Sequence, residues 1–350
     1  LYLKWRITPL TGGLPYLLSL LFALLAMKSK ENAFTLPVVL SLSEFFFFRG
    51  KAKKRLLYLS PFLLTLLVVP LTQLGIGRPL KEIFEEAGAA AAYHSDIPRA
   101  GYFFTQLWVV ARYIKLLFVP VDQNFDYGYF LIGSFFDYRA MLSFLFISLI
   151  LIVGAYLRFS KGDPVRRLLS FGIFFFFTAL SVESSLFPIN TIMCEYRVYL
   201  PVAGMFIAAS SLSFFALDKT RGLVRQRALL LLIFVLPVVL AAASYLRNGV
   251  WGSKISMWED VVKKAPDNAR GHFNLANAYE KKGQTAKAIE HYLETVRLKP
   301  DHIKAHNNLG IVLFSQGRTD EAIGRFITAI KLNPDSGPAR LNLGLAYLKK

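Results

Sequence analysis

The stretch from Pro266 to Pro334, PDNARGHFNLANAYEKKGQTAKAIEHYLETVRLKPDHIKAHNNLGIVLFSQGRTDEAIGRFITAIKLNP, repeats itself with a period of 34 residues. Pro266, Pro300 and Pro334 mark the period, each followed by Asp. Leu275, Leu309 and Leu343 keep it, as do Ala276, Gly310 and Gly344, and then Tyr279, Leu313 and Tyr347. A second helical pattern in each unit sets Ala288 against Ala322 and Tyr292 against Phe326, with Trp258 at the same place in a preceding half-unit. Small residues let two helices approach, aromatic residues fill the gap between them, and proline ends the unit. The spacing predicts stacked helix pairs: a half-unit at 251–268, full units at 269–302 and 303–336, and a truncated unit at 337–350.

Upstream of this array the composition changes. The chain of 350 residues is 54% hydrophobic with 31 Phe, and its mean hydropathy of +0.42 is too high for an ordinary soluble domain. A bilayer crossing needs about 20 mostly apolar residues. Seven segments qualify: Pro9 to Met27, Asn32 to Phe48, Leu56 to Gly77, Ala140 to Leu157, Leu168 to Val182, Val198 to Leu217 and Ala228 to Leu246. Prolines within them are tolerated, because neighbouring groups in a membrane bundle re-satisfy the freed backbone. The expected fold class is all-α: a polytopic membrane domain over 1–250, followed by a helical solenoid over 251–350. The chain opens at Leu1 without Met and stops inside a repeat, so it is expected to be a piece of a longer protein. Cys194 is the single cysteine, which excludes an internal disulfide.

Cytoplasmic loops collect Lys and Arg. Four loops do so here, around Lys4 and Arg6; Arg49, Lys51, Lys53, Lys54 and Arg55; Arg158, Lys161, Arg166 and Arg167; and Lys219, Arg221, Arg225 and Arg227. Only Asp163 and Asp218 oppose them there, whereas the intervening loops are neutral. The assignments alternate through all seven spans and put the repeats on the extracytoplasmic side. The net charge of +18 is thus mainly a topology signature, and no nucleic-acid partner is expected. Tyr102 to Pro120 does not fit the alternation. Arg112 and Lys115 on one face, with Trp108, Val109, Leu116 and Leu117 for the other, suggest an interfacial or re-entrant helix; an eighth span is the alternative. Glu44, near a cytoplasmic span end, is expected to pair with the Arg49 to Arg55 cluster.

The 34-residue pattern is that of tetratricopeptide repeats, which build a superhelix whose concave groove takes peptide. Asn274, Asn308 and Asn342 recur at one repeat position. They resemble the asparagine ladder of O-GlcNAc transferase superhelices, which implies amides holding the backbone of a bound polypeptide; simple repeat consensus is the other reading. His272, His291, His302 and His306 are expected to be solvated on repeat surfaces.

In the membrane part, Lys30-Glu31 ahead of FTLPVVLSL, the segment YFFTQLWVVARYIKLLFVPVDQNFDYGY and the string ESSLFPINTIMCEYRVYLPVAG resemble the transmembrane and tetratricopeptide-repeat proteins. These are a branch of the GT-C glycosyltransferases that includes O-mannosyltransferases and bacterial relatives. The resemblance implies transfer of a sugar from a polyprenyl-phosphate donor to a protein hydroxyl; no cofactor or metal site is identified in the sequence, and whether a divalent metal takes part stays open. It also implies an upstream acidic pair as the catalytic base and, for bacterial members, an inner membrane with periplasmic repeats. Where the family has Glu-Arg adjacent, Tyr196 stands between Glu195 and Arg197.

Such chemistry needs a carboxylate to accept the hydroxyl proton and a cation for the departing phosphate. Glu183 and Glu195 are the carboxylate candidates within the chain. Arg197, Lys30 and Arg99 are candidates for the donor phosphate, with snorkelling to the interface as the alternative for Arg197. Asp126 is open between steering and structure. His94 and Asp96 make a poor metal site, and neither a glycine-rich phosphate loop nor a supported Ser-His-Asp arrangement is present. The partners expected are the bilayer, a lipid-linked sugar and a polypeptide in the groove. The competing class is a non-catalytic membrane-anchored scaffold for envelope assembly, with a transporter a distant third.

Overall fold

The computed structural model describes residues 1–8, 13–29, 31–68, 98–128, 130–160, 163–181, 184, 192–220 and 222–350, with Glu31, Asn32 and Tyr196 described by backbone alone. Every regular element among them is helical. The chain divides into two compact units, Leu1–Val119 with Leu131–Val235, and Pro120–Phe130 with Leu236–Lys350. Where the sequence reading draws one boundary at 250, the second unit starts within a helix at Leu236 and takes in an eleven-residue segment from far upstream.

The first unit contains α1 (Tyr2–Ile7), α2 (Leu14–Ser29), α3 (Thr35–Phe47), α4 (Ala52–Leu64), α5 (Arg99–Phe118), α6 (Tyr138–Phe159), α7 (Pro164–Leu180), α8 (Tyr199–Lys219) and the beginning of α9 (Leu223–Asn248). Local chemistry sets several starts. The Asp137 carboxylate accepts from Arg139 N at 2.9 Å to open α6, and Asp163 accepts from Val165 N at 2.8 Å with Pro164 in the first turn of α7, both standard N-caps. Pro61 and Pro237 lie inside α4 and α9 without ending them.

Among the described residues, three helices are long and apolar enough to cross a membrane, Tyr138–Phe159, Tyr199–Lys219 and Leu223–Gly252; Leu14–Ser29 and Thr35–Phe47 are shorter apolar helices. The reason is visible in their burial. No residue of α9 is buried, and α6 exposes Leu142, Leu145, Leu149 and Ile152, so their apolar faces need a nonaqueous environment. Of the expected span from Leu56 to Gly77, the described part is α4 followed by a 3-10 turn over Thr65–Leu67; the rest lies outside the described residues.

The tightest packing joins α7 and α8. A Cβ placed on Gly172 would stand 2.5 Å from Gly204 O and 2.7 Å from Ala208 N, and one on Gly204 would meet Gly172 O at 2.5 Å and Phe176 N at 2.7 Å. The helices touch backbone to backbone, the way small residues let membrane helices associate when no hydrophobic drive separates protein from lipid.

In α5 the buried face is Tyr102, Gln106, Val109 and Tyr113. Arg112 lies over the Trp108 ring at 5.3 Å, so the two share a face. The sequence reading had set them on opposite sides, but residues four apart are neighbours on a helix.

Glu44 also departs from expectation. Its buried carboxylate takes Arg6 Nε at 2.7 Å and the Tyr2 hydroxyl at 2.8 Å. Arg55 reaches only the Glu44 and Phe48 backbone oxygens, at 3.3 and 2.9 Å. The aromatic group of Tyr2, Trp5, Tyr16, Tyr58 and Phe62 carries α1 onto α2 and α4, which brings Arg6 within reach first.

In the second unit, α10 (Lys254–Lys264), α11 (Ala269–Lys281), α12 (Thr285–Leu298), α13 (Ile303–Ser315), α14 (Thr319–Leu332) and α15 (Gly337–Lys349) form the solenoid. Leu275, Leu309, Ala276, Ala288, Tyr292, Ala322 and Phe326 form its continuous core. Gly310 faces the Phe326 ring so closely that a Cβ would meet it at 2.5 Å. Gly283 and Gly317, one period apart, turn each helix pair in the left-handed region at φ +73° and +76°, where a side chain is strained.

The histidines correct the expectation of solvated side chains. His272 and His306 are 6% and 5% exposed. Each places Nε2 2.9 Å from the carbonyl of the proline six residues earlier, Pro266 and Pro300, so in two successive units a histidine ties down the preceding proline. The His272 and His291 Nδ1 atoms are 3.0 Å apart.

Two outcomes are expected from this packing. Gly204→Val should cost at least the 1–3 kcal/mol of about one overpacked site, since backbone cannot step aside; an unchanged melting temperature in detergent would remove the crossing from the fold's supports. Burial, and then the neighbouring His272, hold His291 below its ordinary value of 6.5. The unfolded imidazole therefore takes up its proton first as pH falls below about 6.5, and stability drops from there until the folded group titrates. A melting series from about pH 7 to about pH 5 should show the loss, reduced in His291→Asn and not abolished, because burial lowers His302 also.

Candidate functional site

Glu195 and Arg197 sit on one 3-10 turn, Glu195–Val198, directly before α8. Residues 195 and 197 are held there from α5, more than eighty positions away in sequence. The Tyr113 hydroxyl donates to Cys194 O at 2.8 Å and accepts from Cys194 N at 2.9 Å. Gln106 Nε2 donates to Ile192 O at 2.9 Å. Arg197 Nη1 donates to the same carbonyl at 3.3 Å. Tyr113 and Gln106 are buried, so this clamp replaces water for backbone groups that would otherwise be orphaned.

Sequence reasoning missed Gln106 and Tyr113. A signal existed: two polar side chains seven apart in an apolar run fall on one helical face, two turns along. Thr105 anchors the other strand of the connection, accepting from Ile132 N at 2.8 Å while donating to Gly101 O at 2.6 Å. Two of the strings carrying the family resemblance are thereby brought together.

Arg197 is 4% exposed, and Glu195 is half-buried in the same turn. The turn thus holds a buried guanidinium and a half-buried carboxylate two residues apart. Arg99 is the exposed first residue of α5, about two turns before Gln106. Lys30 and Glu183 lie outside the described residues, as do His94 and Asp96. Among the described residues no group of three or more His, Cys, Asp or Glu is arranged to hold a metal ion.

On the solenoid, the three asparagines are half-buried, and two of them, Asn308 and Asn342, belong to an amide relay. Asn342 donates to Asn307 Oδ1 at 2.9 Å, Asn307 to Asn308 Oδ1 at 3.3 Å, and Asn308 to Asn277 Oδ1 at 3.1 Å. Tyr292 donates to Asn277 Oδ1 at 2.6 Å. Asn274 instead bonds its own helix at Arg270 O, at 2.9 Å. The relay joins the first helices of successive units, α11, α13 and α15. Asn274 and Asn342 each keep one amide hydrogen beyond these bonds, whereas Asn308 reaches both Asn277 and, at 3.4 Å, the Tyr292 hydroxyl.

The first helix pair is closed by the segment Pro120–Phe130. Phe125 packs edge-on against Trp251 and Trp258, at 5.3 and 5.4 Å. Buried Asp126 pairs with Arg270, and Asn268 Nδ2 donates to Asp126 O at 3.2 Å. Asp126 is therefore a structural carboxylate. Arg247 Nη2 joins Gln123 O at 2.9 Å to Asp260 at 2.6 Å.

Comparison with known proteins places these parts. A tetratricopeptide-repeat family profile matches residues 267–335. A Caenorhabditis elegans protein O-mannosyl-transferase is 27% identical over 185 residues, 52% of this chain and 25% of its own length. The Mus musculus protein O-mannosyl-transferase TMTC1 is 26% identical over 195 residues, 52% of this chain and 20% of its own length. The chain thus spans a quarter or less of the curated relatives it matches. Among solved structures, the first TPR of Spaghetti (RPAP3) bound to an HSP90 peptide is 21% identical at a TM-score of 0.28, covering 31% of this chain and 85% of its own.

Tyr113→Phe leaves the Cys194 N–H and C=O without this partner, a loss of about 1–3 kcal/mol locally. With Cys194 buried and the single cysteine, its alkylation rate by a maleimide reports the clamp directly. The variant should label several-fold faster than the parent under native conditions. Equal rates would mean that the turn is held by other contacts. The chain carries tetratricopeptide repeats and over about half its length is similar to proteins named protein O-mannosyl-transferases.

Proposed function

We propose that this chain belongs to an integral, multi-pass membrane glycosyltransferase that passes a sugar from a polyprenyl-phosphate donor to a protein acceptor held by extracytoplasmic repeats. The observation that carries the reading is the conjunction, over about half the chain, of apolar helices and repeats with similarity to proteins named O-mannosyl-transferases. A scaffold would use the repeats equally well, but it has no need of a buried arginine on a clamped turn at the mouth of an apolar helix. The alternating charge of the loops supports the orientation.

In this reading Arg197 meets the departing phosphate, its planar fork giving two directed bonds, and Gln106 and Tyr113 hold the turn that aims it. Arg99 and Lys30 add positive charge for the donor. Glu195 and Glu183 are the carboxylates of this chain that could accept a proton, beside an acidic pair supplied from elsewhere in the protein. The groove asparagines Asn274, Asn308 and Asn342 face the acceptor polypeptide, with Asn274 and Asn342 retaining amide hydrogens for it. A bacterial inner membrane with periplasmic repeats is the setting proposed.

The test is sugar transfer by the full-length protein in membranes supplied with labelled polyprenyl-phosphate hexoses and secreted proteins. Label should enter protein with the parent and fall by about two orders of magnitude or more in Arg197→Ala, with partial recovery in Arg197→Lys. No transfer from any donor by folded, inserted protein would overturn the reading and leave the scaffold.

A further inference from the structure

Four arginines line one cavity of about 330 Å³ in the first unit: Arg49, Arg55, Arg158 and Arg167, with the phenylalanine run 45–48 and Gly50 in its wall. No carboxylate of the described residues lines it. The acidic group expected to neutralise this cluster, Glu44, is committed to Arg6 and Tyr2. Among the described residues, the acceptors the cluster finds are carbonyls at the end of α3: Arg55 donates to Phe48 O and Glu44 O, and Arg158 Nη2 donates to Phe45 O at 2.7 Å. These bonds cap the helix but leave most of the guanidinium hydrogens unused, since each arginine carries five. Arg158 Nε is buried with no hydrogen-bond partner among the described residues. The Arg49 and Arg167 guanidinium groups form no hydrogen bond or ion pair with any described residue. Four like charges at close quarters repel, and an anion between them removes that penalty.

A second cavity of about 120 Å³ adjoins the first, sharing Phe45, Phe46 and Arg158. Its other walls, Leu42, Ala155, Phe159 and Phe174, are apolar. A free phosphate would satisfy only the arginine side. A ligand with an anionic head and an apolar tail satisfies both. We infer that this pair of cavities binds an anionic phospholipid, its headgroup phosphate among Arg49, Arg55, Arg158 and Arg167 and the start of an acyl chain in the phenylalanine-lined slot. Arginine forks match phosphate oxygens, and basic pockets between membrane helices hold anionic headgroups by this means. The inference does not depend on the transferase reading.

Full-length protein purified in a neutral maltoside detergent is exposed to equal amounts of phosphatidylglycerol and phosphatidylcholine, and retained lipid is read by native mass spectrometry. The parent should retain phosphatidylglycerol preferentially. The double variant Arg49→Gln, Arg167→Gln removes only side chains that bond no described residue, so its circular dichroism without lipid should match the parent. Its phosphatidylglycerol affinity should fall about tenfold or more. Should the double variant fail to fold, Arg49→Gln alone, at an exposed residue, should show a smaller loss in the same direction. Equal retention of the two lipids, or affinity unchanged in the folded variants, overturns the site. A further arm adds inorganic phosphate at matched concentration: lipid that stays bound supports the tail slot, and complete displacement assigns the site to a free anion and overturns the lipid.

Discussion

The backbone contact between Gly172 and Gly204 is the constraint on which the first unit rests. With no side chain at either position, α7 and α8 meet at a distance that main-chain atoms alone define. An inter-helix distance set this way has no rotamer freedom, and the start of α8 inherits that rigidity. The turn Glu195–Val198 is continuous with that start, so Arg197 is placed by the crossing from one side and by the Tyr113 and Gln106 clamp from the other. Dispersion between apolar side chains and lipid differs little from that between the side chains themselves, so close backbone approach and buried hydrogen bonds must specify the arrangement.

The same economy of polar groups explains how the cations divide. Among the described residues of this unit Glu44 is the buried carboxylate, and it serves the arginine that packing brings to it. Aromatic packing of α1 delivers Arg6 to Glu44, and the later arginines are left with helix-end carbonyls. Charges that the sequence presents alike, as basic loops, thus split into a structural pair and a cavity with no described carboxylate in its wall.

The solenoid shows a different logic. Its repeats contact their neighbours through a shared core, and the polar ladder of asparagines runs along the same direction. At the first unit of the array the neighbour is not a repeat. Residues 120–130 supply Phe125 to the tryptophans and Asp126 to Arg270, giving the end of the array the partner that a stacked unit would otherwise provide. Asp260 feels this environment. Burial alone would raise its carboxyl, and the Arg247 and Lys264 bonds outweigh that and hold it below the usual value.

Periodicity was enough to read the repeats, their small and aromatic positions and the apolar helices, because a helix records its buried face at fixed spacing along the chain. The candidate turn was also legible, since Glu195 and Arg197 are local to each other. Which partner each polar group takes was not. Tyr113 with Cys194, Gln106 with Ile192, Arg6 with Glu44 and Asp126 with Arg270 are separated by 38 to 144 positions, and nothing in local spacing ranks such pairs. His272 and His306 read as surface residues because a histidine's burial depends on finding an acceptor, here the preceding proline's carbonyl. The sequence by itself determined the helices and their faces. Only the tertiary structure decided the pairing of charges and hydrogen bonds, because burial makes that pairing obligatory and three-dimensional proximity alone selects the partner.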